Sequence, residues 1–127
     1  MARGTFDVKV LPLEHHDTAP GSTLGRFSID KTWAGDLVGT SVGEMLAGGS
    51  AKGSGAYVAI ERITGTLEGR EGSFMLVHRG LMADNVPSLD IGIVPGSGTG
   101  GLEGIRGSFT LTIEGKEHRW EMDYRLE

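Results

Sequence analysis

Along most of the chain apolar and polar residues alternate one for one, in short runs separated by glycine. Such alternation places successive side chains on opposite faces of a half-buried strand. From Thr5 to Leu11, Phe6, Val8 and Val10 alternate with Asp7 and Lys9. From Thr23 to Trp33, Phe27, Ile29 and Trp33 share a face with Lys31, opposite Arg26, Ser28 and Asp30. Further strands are predicted over 55–67, 73–79, 88–94, 107–114 and 118–126. The last has the cleanest pattern: His118, Trp120, Met122, Tyr124 and Leu126 face one way and Arg119, Glu121, Asp123 and Arg125 the other. Residues 37–46 suit a short helix by their apolar spacing, but Gly39 and Gly43 each cost a helix about 1 kcal/mol relative to Ala, so a strand is expected there too. Loops are expected at 14–21, which ends in a Pro-Gly turn, and at 80–87.

One motif recurs. Residues 65–74 and 100–109 both read G-x-L-E-G-x-x-G-S-F. In each copy a Gly-bracketed bend leads to a Phe that opens a strand. A repeated corner suits an up-and-down barrel. Strands with one apolar face each fit two stacked sheets as well as a barrel; the repeated corner turns the expectation to an all-β, calycin-like fold, a single antiparallel closed barrel of about eight strands spanning residues 1–127, wide enough to hold side chains or one small ligand.

Composition narrows the function classes. There is no Cys, which excludes disulfides, thiolate catalysis and Cys-based zinc sites. Twelve Lys and Arg stand against 17 Asp and Glu without any basic cluster, so no nucleic-acid partner is expected. No apolar run approaches a membrane span, and residues 1–7 carry no apolar leader, which reads as a cytoplasmic protein without a membrane partner. The 22 Gly are dispersed, as turns and bulges between many short strands require.

Three segments resemble a known family: Lys31-Thr32-Trp33 with Gly35-Asp36-Leu37, the stretch from Tyr57 to Arg62 through Gly72 to His78, and Val94 to Leu102. Together they look like a family of uncharacterised bacterial proteins whose barrel is similar to that of plant allene oxide cyclase. The resemblance covers nearly the whole chain and implies the barrel. It implies no activity, and no catalytic residue of the cyclase is carried over.

Candidate chemistry centres on Glu61 and His78. Each interrupts an apolar strand, and the two strands form a hairpin. Pointing inward, a carboxylate and an imidazole sharing a dry interior form either an acid–base pair or a structural ion pair. Lys31, Trp33 and Tyr57 are candidates for lining the same interior, with His118 and Tyr124 on the apolar face of the last strand. Core packing is the competing reading for each, and the favoured one for Trp33. Pro95 to Gly101 lacks the Lys-Ser/Thr and the helix of a phosphate loop and reads as a flexible rim loop. In Glu14-His15-His16-Asp17, adjacent residues point opposite ways, so a solvated loop is expected and no metal. No cofactor is implied.

Three function classes follow. In the first, the barrel binds a small, largely apolar ligand, with Glu61 and His78 as its polar anchor. In the second, an isomerase or cyclase uses those residues as acid and base. In the third, a structural or assembly protein has an interior filled by Phe27, Phe74, Phe109 and Trp120. A homo-oligomer is compatible with the chain, although its outward residues read as mostly charged.

Overall fold

The computed structural model describes residues 1–50 and 53–127. Among these residues nine strands follow one another: β1 (Ala2–Leu13), β2 (Leu24–Gly35), β3 (Leu37–Gly49), β4 (Gly55–Leu67), β5 (Arg70–Ala83), β6 (Val86–Ile93), the two-residue β7 (Thr99–Gly100), β8 (Ile105–Glu114) and β9 (Glu117–Leu126). All pairings are antiparallel. β1 pairs with both β2 and β9, and the β4–β5 pairing closes the ring β1-β2-β3-β4-β5-β6-β8-β9 into an eight-stranded barrel. Among the described residues no helix is long and apolar enough to cross a membrane.

Residues 37–49 are a strand, and the glycines that disfavour a helix there have a positive reason. A Cβ on Gly43 would meet the Glu61 Cα and Cβ at 2.7 Å, so β3 can approach β4 only without a side chain at this inward position. The strands are longer than the alternation suggests. The expected loop at 80–87 is instead a tight hairpin: β5 runs to Ala83, β6 starts at Val86, and Asp84 and Asn85 take positive φ of 49° and 66°. Two consecutive left-handed residues make the turn whose twist matches a β-ribbon, and Asp and Asn tolerate it.

The two halves of the interior differ. At one end Leu37, Ile63, Leu67, Phe74, Leu102, Ile105, Trp120 and Met122 are sealed from solvent. Trp33, Phe109 and Trp120 form an aromatic triangle with ring centroids 5.7–5.9 Å apart. Both copies of the repeated motif contribute in the same way. Leu67 and Leu102 are fully buried, and Phe74 and Phe109 stack at 6.5 Å. The glycine-rich segment 95–101 belongs to this closed end, where Ser97 and Thr99 bond to β5 and lead into the buried Leu102. At the other end the inward positions stay open: Phe27, Met45, Tyr57 and Leu111 are half-buried, and Val10, Met82, Leu89 and Ile113 are exposed. Of the four aromatics that the structural reading places in the interior, Phe74, Phe109 and Trp120 are buried there, and Phe27 lies half-buried at the open end.

The outer face is not mostly charged. On β3, β4 and β5 Val42, Leu46, Val58, Ile60 and Val77 point outward and are exposed.

The two ends should respond differently to truncation. Phe74→Ala is expected to lower the unfolding free energy by about 3–5 kcal/mol, and Phe27→Ala by less than half of that. Urea titration of both variants measures the difference. Equal losses would mean that both ends are filled alike.

Candidate functional site

The strand register assembles one polar cluster in the barrel, where the sealed half meets the open half. Lys31 on β2 is paired with Ser41 on β3, and Gly43 on β3 is paired with Glu61 on β4. Glu61 faces Leu76 on β5, and His78 lies one inward position further towards the mouth, opposite Ala59. Period-2 alternation sends all four polar side chains inward.

Their bonds converge on one carboxylate. Glu61 Oε2 accepts from Lys31 Nζ at 2.8 Å and lies 2.7 Å from His78 Nε2. Glu61 Oε1 accepts from the Ser41 hydroxyl at 2.7 Å, and Ser41 Oγ accepts from the Trp33 indole N–H at 3.0 Å. The Lys31 ammonium also lies over the rings of Phe6 and Trp33, 4.7 and 5.3 Å from their centroids, where the ring quadrupoles favour a cation. The Glu61 side chain is fully enclosed, whereas Lys31 and His78 each keep 6% of their side-chain surface accessible.

Burial alone pushes the Glu61 carboxyl up. The hydrogen bond with His78 and the charge and hydrogen bond of Lys31 outweigh it and hold the pKa down at about 2. An ionised carboxylate can only accept, so the bond to His78 requires the proton on Nε2. The other ring nitrogen, Nδ1, makes no hydrogen bond to protein among the described residues. The arrangement can hold a ligand's polar group at Lys31 or at His78 Nδ1, and a carboxylate-oriented imidazole can also move a proton.

Towards the mouth, one inward position beyond His78, lies a pocket of about 330 Å³ whose lining includes Met45, Ala47, Tyr57, Gly80, Met82 and Leu89 and no residue of the cluster itself. The Tyr57 ring lies across Gly80, one inward position above His78. A Cβ on Gly80 would come within 2.7 Å of the Tyr57 Cζ, so glycine here makes room for the ring.

The family model for proteins of unknown function, DUF3224, matches residues 2–124. The chain belongs to the DUF3224 family. Its fold is similar to the crystal structure of a DUF3224 protein of unknown function from Shewanella oneidensis MR-1, with a TM-score of 0.93 and 43% identity over 98% of this chain and 95% of that one. No curated protein matches the chain.

In this DUF3224 barrel five of the sequence-predicted residues stand at or next to one another: Lys31, Trp33, Glu61 and His78 in the cluster, and Tyr57 above it. His118 stands one step away, its ring stacked on Phe6 at 5.0 Å. Tyr124 is not part of the site. It lies towards the sealed end, where its hydroxyl donates to Glu68 Oε1 at 2.5 Å and where burial, then Glu68, push its pKa up to about 12. The sequence reading passed over Ser41 and Phe6. Ser41 was legible as a polar residue at an inward position of β3, whereas Phe6 was indistinguishable from a core aromatic. In the 14–21 loop Asp17 bonds the Ala19 amide and the Ser22 hydroxyl, and the described residues hold no group of three metal-ligand side chains.

The cluster makes DUF3224 barrel stability acid-dependent. Glu61 titrates at about 2 in the fold against 4.5 for the ordinary carboxyl, so its contribution is fully present above pH 4.5 and is lost as pH falls towards 2. The shift corresponds to about 3 kcal/mol. Glu61→Gln is expected to remove this acid limb and, by stranding Lys31 without a counter-charge, to cost about 3–5 kcal/mol at neutral pH. Urea unfolding of both proteins at neutral and acid pH measures both effects. A variant as stable as the parent would show that Lys31 does not depend on Glu61.

Proposed function

We propose that the barrel binds a small, largely apolar molecule through its open end. The molecule's polar group would rest against the Lys31–Glu61–His78 cluster. The observation that carries this reading is the division of the interior: one half is filled to closure, while the other exposes an apolar lining beside a pocket of about 330 Å³. Pockets of this size and lining, with few convergent polar groups, suit small ligands. The open half also weighs against a purely structural role, which would have no use for an unfilled interior. The resemblance to the allene oxide cyclase barrel enters the proposal as one of fold alone, a closed barrel wide enough to hold one small molecule. The proposal also places the protein in the cytoplasm.

One observation favours a second reading, in which the site is an isomerase or cyclase. His78 Nδ1 makes no hydrogen bond within the chain among the described residues while Nε2 is held on Glu61, so the free ring nitrogen can exchange a proton with a substrate. Binding is preferred because the pocket at the mouth is lined mostly by apolar side chains.

Two measurements test the binding reading. Mass spectrometry of a solvent extract of the protein from its native host should yield a small apolar molecule near stoichiometric amount. The fluorescent probe 1-anilinonaphthalene-8-sulfonate should bind the purified barrel, and Ala47→Trp, which fills the pocket from its wall, should weaken that binding roughly tenfold, about 1.4 kcal/mol. A folded Ala47→Trp variant that binds the probe as well as its parent would move the site elsewhere.

A further inference from the structure

Outside the barrel, the strands that carry the cluster present an exposed face with an internal symmetry. Register aligns its outward residues in three rows across β3, β4 and β5: Val42–Arg62–Met75, Glu44–Ile60–Val77 and Leu46–Val58–Arg79. Six of these nine are apolar, and Val42, Leu46, Val58, Ile60 and Val77 are each at least 41% exposed. Beyond the first row the face continues as uncharged hydroxyls, Thr40–Thr64–Ser73.

This grid is complementary to itself. When two copies meet face to face about a two-fold axis along the Val42–Ile60–Arg79 diagonal, each row of one copy lies over a column of the other. Val42, Ile60 and Arg79 then meet their own counterparts, Val58 meets Val77, and Leu46 comes near Met75. Glu44 meets Arg62 twice over, once on each side of the axis. Opposite charges fall together only because Glu44 and Arg62 occupy transposed positions. Arg62 has no carboxylate partner within its own chain among the described residues, whereas Arg26 is bound to Glu44 at 2.7 Å and Arg79 to Asp90 at 3.7 Å. Arg79, which lies on the axis at the rim, therefore carries its own counter-charge. Strands crossing nearly at right angles are one of the two ordinary ways sheets pack.

We propose that this face is an isologous interface between two copies of this chain, with the paired Glu44–Arg62 contacts setting its register. The nine-residue grid spans about 10 Å across the strands and about 13 Å along them, so with its flanks it buries no more than about 800 Å² per partner. An area below that of a standard interface suits a weak dimer, which assembles only towards high micromolar concentration. The inference is independent of what the barrel binds.

Sedimentation velocity across the micromolar range should show a monomer–dimer equilibrium for the parent protein. Glu44→Arg sets arginine against Arg62, and Arg62→Glu sets glutamate against Glu44, so each is expected to weaken dimerisation at least roughly tenfold. The double variant restores opposite charges and should recover the dimer. Ile60→Lys, on the axis, should leave only monomer. All three positions point into solvent, and circular dichroism checks that each variant keeps its fold. A parent that stays monomeric throughout overturns the proposal and leaves the face to another partner. A dimer indifferent to the single charge changes, or a double variant that fails to recover it, overturns it equally.

Discussion

The interior of this barrel is organised around one negative charge. A buried ammonium such as Lys31 has a large desolvation cost unless a counter-charge meets it with good geometry, and Glu61 provides it. The same carboxylate then needs its remaining lone pairs satisfied, which fixes Ser41 and His78 around it. The constraint spreads outward from there. Gly43 must be without a side chain for the Glu61 backbone to approach β3, and Phe6 and Trp33 cover the exposed side of the ammonium with ring faces. Replacing a buried ion pair by well-packed apolar residues is often neutral or stabilising. Stability alone therefore gives no reason for four polar side chains in a barrel of this size. Their position, on the border between a sealed half and an apolar opening, does give one.

The sealed half holds that border in place. Two copies of one sequence motif each deliver a leucine and a phenylalanine to the same region, and the two phenylalanines stack on one another. The aromatic triangle of Trp33, Phe109 and Trp120 links β2, β8 and β9 across the interior. Trp33 belongs to both systems: its ring is core, and its indole N–H ends the hydrogen-bond chain that starts at Glu61. Packing on one side thus orients polar groups on the other.

Much of this was written in local alternation. The inward sets Phe27-Ile29-Lys31-Trp33 and His118-Trp120-Met122 follow from period 2 alone, and so does the inward aim of Glu61 and His78. What alternation lacks is position along the barrel axis. Tyr124 shares a face with Trp120 yet ends near Glu68 at the sealed end, because the stagger between strands depends on long-range register. The 80–87 hairpin was hidden because Asp84 and Asn85 reach left-handed backbone without glycine. The division into a filled and an open half was hidden for a further reason: Phe27 and Phe74 have the same local pattern and differ only in what surrounds them.

The same alternation ties the two faces of the barrel wall together. Ile60 points outward and Glu61 inward, and Val77 points outward and His78 inward. Two of the three residues that bond Glu61, Ser41 and His78, sit on strands whose outer faces are apolar and exposed. A strand cannot shift on one face without shifting on the other, because its side-chain period is two residues and its ladder is shared. Any molecule covering Val42, Leu46, Val58, Ile60 and Val77 therefore holds the backbone that aims Ser41, Glu61 and His78. The apolar outer face and the polar cluster are consecutive residues of the same three strands, and the barrel wall between them is one peptide thick.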